Sequence, residues 1–537
     1  MAEEHIISSP LSNVFIPSHL NIYQFFCENF DQYGDKPAIT DAHSGLTLTY
    51  KMLKQQIRQC GSALRRAGFK KGDIFAIYSP NHPQYPVLIF AVAAIGGIVS
   101  TINPLFTAEE VIQQMKLSSA KYLLAHSSNA ANAIKVDKTL NLRGLYVFGE
   151  EKGVTSFDTL IQDDGAFFKP DATIDPINDV VMLPYSSGTT GIPKGSVMLT
   201  HYNLIANFAQ LIHPDVKVFD SDAPVLALLP FFHIYGLVVI LLAGLRVGAH
   251  LISYLRFEPE VFLQSIEKYK IKYAPLVPPL YVFLAKTPLV EKYDLSSLQE
   301  TMCGAAPLDY DLSQTVRKRV GLSLVRQVYG MTELSPLSHM GKRSDKDKLG
   351  AIGIVVPNTK AKVVDIETGR SLPEHQRGEL CIRGPQVMKG YLRNKEATDR
   401  TIDKDGWLHT GDIAYYDKDG YFYVVDRLKE LIKYKGHQVA PAELEALLLT
   451  NPKVADVAVI GRPDDDAGEL PMAFIVRSGE ITKQEIIDFV KDNVNPQKYL
   501  RGGVEFLDII PKSASGKILR NQLRKRIKES TSLHSKL

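Results

Sequence analysis

The chain has 537 residues, with 45% hydrophobic and 23% charged content, so several domains around ordinary globular cores are expected. A net charge of +3 over this length gives no electrostatic footprint for a nucleic-acid partner. The four cysteines, Cys27, Cys60, Cys303 and Cys381, are scattered without a CxxC pair, which fits a reducing compartment and argues against a disulfide framework or a zinc site.

The N-terminus is acidic and lacks an apolar stretch, so no secretory or transit signal is expected. Residues 20–30 look helical, 36–40 start a strand and 51–67 form a helix. Short apolar strands at 74–78 and 99–102 then flank a mostly apolar helix at 85–97. This alternation, continuing to about 148, predicts an α/β fold of layered, largely parallel sheets. Residues 149–178 are polar and loop-rich.

An apolar run at 180–183 leads into Tyr185, Ser186, Ser187, Gly188, Thr189, Thr190, Gly191, Ile192, Pro193, Lys194 and Gly195, and a helix follows at 201–211. Glycines let the backbone approach an anion, while hydroxyls, turned N–H groups and a lysine supply donors and charge. The segment reads as a phosphate-handling loop, and its spacing is not that of a Walker A loop. A mobile surface loop is the plain alternative.

The run 225–245 is apolar, but Pro230, His233 and Tyr235 interrupt it, which suits a buried strand and helix better than a membrane span. Strands follow at 251–252 and 273–276, and the turn Gly304, Ala305, Ala306, Pro307 precedes a helix at 310–320. A strand at 325–330 ends in Met331, Thr332 and Glu333. From about 350 to 427 the texture becomes β-rich with glycine turns. Beyond it, a helix at 441–449, strands at 454–460 and 472–477 and a helix at 483–494 suggest a small α+β domain. The expected division is an N-terminal domain over 1–427, a hinge at 428–430 and a C-terminal domain over 431–537. The final Ser535, Lys536 and Leu537 form a peroxisomal address, so a peroxisomal location and an import receptor as partner are expected.

Each short polar segment admits a structural role alone. Asp412 could serve a turn, Arg427 a surface ion pair, and Lys517 could be one more exposed lysine. Together, in order, residues 186–195, 329–333, 378–384 and 410–412, then Asp426, Arg427 and 515–517, resemble the adenylate-forming (ANL) superfamily. That group includes acyl-CoA synthetases, 4-coumarate–CoA ligases, beetle luciferases and peptide-synthetase adenylation domains. The resemblance spans about 23–527, and the segments 378–384 and 433–445 are similar to those of 4-coumarate–CoA ligase-like members.

The resemblance implies a two-step reaction using ATP, Mg²⁺ and coenzyme A. A carboxylate attacks the α-phosphorus of ATP to give an acyl-adenylate and pyrophosphate, and the CoA thiol then displaces AMP. By resemblance, Ser186, Ser187, Gly188, Thr189, Thr190, Gly191 and Lys194 hold the phosphates and Glu333 ligates Mg²⁺. Thr332 meets the α-phosphate, and Gly304, Ala305, Ala306, Pro307, Tyr329 and Gly330 surround adenine. Asp412 and Arg427 hold the ribose, and Lys517 bridges carboxylate and α-phosphate. Lys429 matches a hinge about which the C-terminal domain rotates, exchanging Lys517 for the CoA-binding Lys433, Lys435, Gly436 and Gln438. A basic run at 520–528 reads as a solvated helix face, with CoA phosphate contact as the alternative.

The acid pocket, by resemblance to plant 4-coumarate–CoA ligases, comprises His233 as a gate with Ile234, Tyr235, Val238, Met302, Gly304, Ala305, Gly330, Pro336, Leu337 and Ser338. Those enzymes carry asparagine and lysine at the positions of Val238 and Met302. Apolar residues there leave a phenolic hydroxyl unpaired. The expected substrate is therefore a medium- or long-chain fatty acid or an aryl-alkyl acid, with a hydroxycinnamate as the alternative. A luciferase-like monooxygenase and an inactive nucleotide-binding scaffold are further alternatives. A carrier-protein adenylation domain is not expected, because no carrier segment follows Lys517.

Overall fold

The computed structural model describes residues 4–534, apart from 186–194, 346, 347, 349, 436, 465, 514 and 515, and side chains up to residue 527. The residues of the glycine loop between Tyr185 and Gly195, and Gly436, Ser515 and the terminal tripeptide, thus lie outside the described residues.

Two sheets build the bulk of the molecule. The first runs, edge to edge, through Gly390–Tyr391, Val197–Thr200, Val180–Met182, Ile98–Ile102, Ile74–Tyr78, Tyr122–His126, Gly144–Phe148 and Thr155–Ser156. It is parallel from Val180–Met182 onward, as the strand–helix alternation predicts. The second runs through Ile354–Val355, Leu337–Met340, Leu324–Gly330, Glu300–Cys303, Tyr273–Leu276, Pro224–Ala227, His250–Ser253, Pro37–Asp41 and Thr47–Thr49. Pro37–Asp41 runs parallel beside His250–Ser253, far from its sequence neighbours.

The helix Tyr85–Ala94 is buried at every residue, so it is apolar all round rather than amphipathic. The apolar run near 225–245 resolves into the strand Pro224–Ala227 and a buried π-helical segment, Tyr235–Leu242, followed by Ala243–Arg246. Among the described residues, no helix is long and apolar enough to cross a membrane.

A third, antiparallel sheet contains Lys360–Val364, Gly378–Arg383, Leu408–Tyr416 and Phe422–Arg427. Its outer edge is capped by Ile7–Ser8, with Ile7 opposite Ala361. The N-terminal segment is thus tied to the β-rich subdomain, which local sequence gave no means of predicting. The last unit has its own core, including Ile432, Leu444, Val459, Ala473, Ile475 and Val504. Its sheet is dominated by the long hairpin Val454–Asp464 and Gly468–Arg477. A large mixed α/β N-terminal domain and a small α+β C-terminal domain therefore stand as the sequence predicts.

Candidate active site

The stem of the glycine loop is well defined. Val180–Met182 and Val197–Thr200 pair antiparallel, and Tyr185 bridges to Ser196, so the two ends of the loop are held together. The Tyr185 hydroxyl donates to the Gln114 carbonyl at 2.7 Å. The helix His201–Leu211 starts there with a reciprocal cap between Thr200 and Asn203.

The pair expected to hold the ribose, Asp412 and Arg427, is directly opposite on adjacent strands, with Arg427 Nε 3.5 Å from Asp412 Oδ1. The Tyr329 hydroxyl donates to the other oxygen of Asp412 at 2.7 Å. This joins the end of the strand Leu324–Gly330 to the β-rich subdomain. The turn before it is equally constrained. Ala305 has φ of 70°, a left-handed conformation that costs a non-glycine residue roughly 1–2 kcal/mol. A side chain on Gly330 would meet the Pro336 carbonyl at 2.3 Å, so only glycine fits.

Glu333 and Thr332 are buried in a short 3-10 turn after that strand. Glu333 Oε1 accepts the Tyr391 hydroxyl at 2.7 Å, and Met388 N–H donates to the Glu333 carbonyl at 2.9 Å. A buried carboxylate is the kind of hard oxygen ligand a magnesium ion takes. Tyr391 was not foreseen as a partner.

The residues expected to line the acid pocket, Ile234, Tyr235, Val238, Met302, Pro336 and Leu337, are all buried. The Tyr235 hydroxyl donates to the Met302 carbonyl at 3.2 Å. A side chain added to Gly304 would lie 3.0 Å from the Tyr235 ring and 3.1 Å from Val328, so this glycine keeps the wall thin. Leu337 is fixed by Asn207, whose amide donates to its carbonyl at 2.7 Å and whose oxygen accepts its N–H at 3.2 Å. Asn203, Asn207 and Gln210 form a buried polar stripe on an otherwise apolar helix, a signal that sequence reading passed over. Behind Met302, Arg326 Nη2 lies 3.7 Å from its sulfur, and the guanidinium is neutralised by buried Glu300.

Lys517 joins the two sides. Burial, reinforced by the nearby Arg427 guanidinium, pushes its amine down to about 7, with Asp412 opposing. Burial and the charge of Lys517 in turn hold His233 down to about 4, so its ring is neutral. The preceding Gly516, at φ of 80°, is seated on the N-terminal domain: an added side chain would lie 3.3 Å from Pro279 and 3.7 Å from Val277. The C-terminal domain is therefore seated against the N-terminal domain, with Lys517 near His233, Arg427 and Asp412.

Lys433, Lys435 and Gln438 are not brought to this cleft. Their side chains are exposed at the hairpin of Ile432–Tyr434 and His437–Val439. Lys429 lies in the connection between the domains. The basic helix Arg520–His534 keeps a solvated face, with Asn521, Gln522, Lys525 and Arg526 exposed, and also makes ion pairs within its own domain. Arg520 pairs with half-buried Glu445 at 2.6 Å, Arg524 with buried Glu430, and Arg526 with Glu505 at 2.6 Å. These ion pairs tie one side of the helix to its own domain.

One compact cluster of metal-ligand types, Glu379, Cys381 and His409, occurs among the described residues. Hydrogen bonds to Cys381 and Glu379 push His409 up to about 10, so it is an imidazolium clamped at 2.8 Å on Glu379. The second Glu379 oxygen accepts Gly411 N–H at 3.0 Å, which braces the turn leading to Asp412.

Known proteins fit this geometry. The AMP-binding enzyme family matches residues 26–392, and the AMP-binding enzyme C-terminal domain matches 443–517. The chain is 43% identical over 531 residues to 4-coumarate–CoA ligase 2 of Nicotiana tabacum, covering 97% of each protein. It is 43% identical over 534 residues to 4-coumarate–CoA ligase 1 of Petroselinum crispum, covering 98% of this chain and 97% of that one. Among solved structures, ATP-bound MatB from Rhodopseudomonas palustris superposes with a TM-score of 0.85 at 27% identity, covering 94% of this chain and 99% of that one. The anthranilate CoA ligase AuaEII in complex with anthranoyl-AMP matches the fold with a TM-score of 0.88 at 24% identity, covering 96% and 99%.

Proposed function

The chain belongs to the AMP-binding enzyme family and is an ATP-dependent, AMP-forming acid–CoA ligase, and from that premise we propose that its acid is of the cinnamate class. Full-length similarity to 4-coumarate–CoA ligases supports this over the fatty-acid expectation. Val238 and Met302 supply no hydrogen-bonding side chain for a ring hydroxyl. The proposal is therefore a ligase that accepts cinnamate and ring-capped cinnamates at least as well as 4-coumarate. The same apolar wall favours, as a second reading, an aliphatic acid lying along Met302, whose thioether adapts to flexible chains.

The observation that carries the mechanism is the placement of Lys517 between neutral His233 and the Asp412–Arg427 pair. Lys517 bridges the acid carboxylate and the α-phosphate, where its charge offsets the negative charge of the attack. Asp412 accepts the ribose hydroxyls while Tyr329 and Arg427 fix its carboxylate. The glycine loop, from Ser186 to Lys194, receives the departing pyrophosphate. Glu333 would hold Mg²⁺, which when bound neutralises the phosphate oxygens. Thr332 donates to the α-phosphate, and His233 closes over the acyl group. Rotation about Lys429 then replaces Lys517 by Lys433, Lys435 and Gln438 for thioester formation.

The test is CoA-thioester formation across cinnamic acids and C6 to C20 fatty acids, read by mass spectrometry. The expected result is highest kcat/KM for cinnamates, with 4-coumarate not above cinnamate. Preference for fatty acids overturns the cinnamate reading, and no ATP–pyrophosphate exchange with any acid overturns the assigned activity.

A further inference from the structure

The segment 229–236, which carries His233 and Tyr235 into the acid wall, has no sheet partner of its own. Instead it is held by two side chains from the other sheet. Asn81 follows the strand Ile74–Tyr78 and is only 4% exposed. Its amide donates to the carbonyls of Ala227 and Leu229, each at 3.1 Å, and its oxygen accepts Phe231 N–H at 2.7 Å. Both amide protons and the carbonyl are thus engaged, all by the backbone of one turn 146–150 residues away. Thr101, on the strand Ile98–Ile102 and also 4% exposed, donates to the Phe232 carbonyl at 2.8 Å.

The turn is closed tightly around these bonds. His233 N–H reaches the Pro230 carbonyl at 3.1 Å, and a side chain on Gly236 would strike that carbonyl at 2.2 Å. The strand bearing Thr101 also holds the other half of the site. Ser100, on its opposite face, donates to the Leu183 carbonyl at 3.1 Å, at the stem of the glycine loop. Two consecutive residues of one strand therefore set the acid segment and the phosphate-loop stem relative to each other.

We propose that Asn81, together with Thr101, is a positioning residue that fixes the acid-binding segment around His233 in register with the phosphate-loop stem. A generic core role would not single out the acid. The bonds engage only the backbone of 227–232, so their loss should misplace His233 and Tyr235 while leaving Asp412, Arg427 and Tyr329 in place.

Kinetically this rests on the acid–CoA ligase reading; structurally it does not, so two measurements are needed. Hydrogen exchange of the full-length protein, without substrate, should show amides in 228–237 exchanging about tenfold faster in Asn81→Ala, with the helix Tyr85–Ala94 unchanged. In steady state, KM for the preferred acid of the panel should rise about tenfold, with KM for ATP within about twofold of the parent. Thr101→Val is nearly isosteric and removes one bond, so it should shift both measurements in the same direction, by roughly threefold. It also decides the matter if Asn81→Ala fails to fold. Unchanged exchange in 228–237 in the folded variants, or acid and ATP KM rising together, overturns the proposal. If no acid is turned over by the parent, the exchange measurement alone decides it.

Discussion

The titration of Lys517 makes the docked arrangement measurable. Its amine, held at about 7 by burial and by Arg427, lies far below the ordinary lysine value of 10.5. A cation in that position must be charged to stabilise the attack on the α-phosphate. In the free enzyme the charged fraction then falls from about 90% at pH 6 to about 1% at pH 9. Between about 7 and the ordinary value, the undocked lysine binds more protons than the docked one. Docking without nucleotide is therefore disfavoured below pH 7 and eased as pH rises through that window. Activity runs the opposite way, because the reaction needs the proton. The kcat/KM for ATP in pyrophosphate exchange should fall about tenfold per pH unit above 7. The kcat should be nearly flat there, since bound phosphate raises the lysine again. Lys517→Arg, always charged, should show a reduced but pH-independent kcat/KM over the same range. Lys517→Ala should lose about 10²–10³ in exchange while still making thioester from supplied acyl-adenylate. A wild-type kcat/KM flat from pH 7 to 9, or equal loss of both half-reactions in Lys517→Ala, refutes the reasoning.

Further outcomes follow from the walls of the site. Gly304→Val should raise the acid KM by at least tenfold, because its methyls enter space bounded at 3.0 Å by Tyr235; an unchanged KM would mean the acid lies elsewhere. Glu379→Gln should lower the His409 titration, followed by NMR, from about 10, leaving the part due to Cys381, and raise KM for ATP by loosening the turn before Asp412. The pairing of His409 with Cys381 and Glu379 favours the folded state below the ordinary histidine value, and that contribution is lost as pH rises through about 10. The terminal Ser535, Lys536 and Leu537 lead us to propose peroxisomal import; a fluorescent fusion preserving the tail should be punctate and become diffuse when the tripeptide is removed.

Local periodicity carried most of the architecture. Apolar runs of strand length alternate with helical stretches from Ile74 to Phe148, and the same residues form the parallel sheet. The glycine and threonine segments were legible because their chemistry is local: Gly330 must be glycine, and Asp412 faces Arg427 at a hairpin's open end. What stayed hidden was pairing at a distance. Nothing near Ile7 names Ala361 as its partner, and nothing near Pro37–Asp41 names His250–Ser253. Buried polar side chains were missed for the same reason. Asn81, Asn207 and Tyr391 look ordinary in sequence, and acquire their roles only through backbone and carboxylate partners on other elements. The basic run is exposed on one side as read, but its ion-pair partners, Glu445, Glu430 and Glu505, lie outside the helix, where charge counting cannot see them.

The domain junction offers a sharper test of the proposed rotation. The helix Pro441–Leu449 has Ala440 at its N-cap, which has no side chain to satisfy the first free N–H groups. That role falls to Asp426, on the other side of the connection carrying Lys429. Its two oxygens accept Arg427 N–H at 2.7 Å and Ala442 N–H at 2.8 Å. A carboxylate at a helix N-terminus is favourable, and burial raises its pKa, so the bonds matter to keeping it charged. This cap joins residues on either side of the connection, and we propose that it favours the arrangement in which Lys517 is docked. Asp426→Asn leaves one oxygen for two N–H donors and points an N–H at the other. The variant should slow pyrophosphate exchange about tenfold, the scale of one lost buried hydrogen bond to a charged group. It should leave thioester formation from supplied acyl-adenylate nearly unchanged, since the rotated domain no longer depends on that cap. Equal slowing of both half-reactions would place Asp426 in general folding stability and remove it from the control of docking.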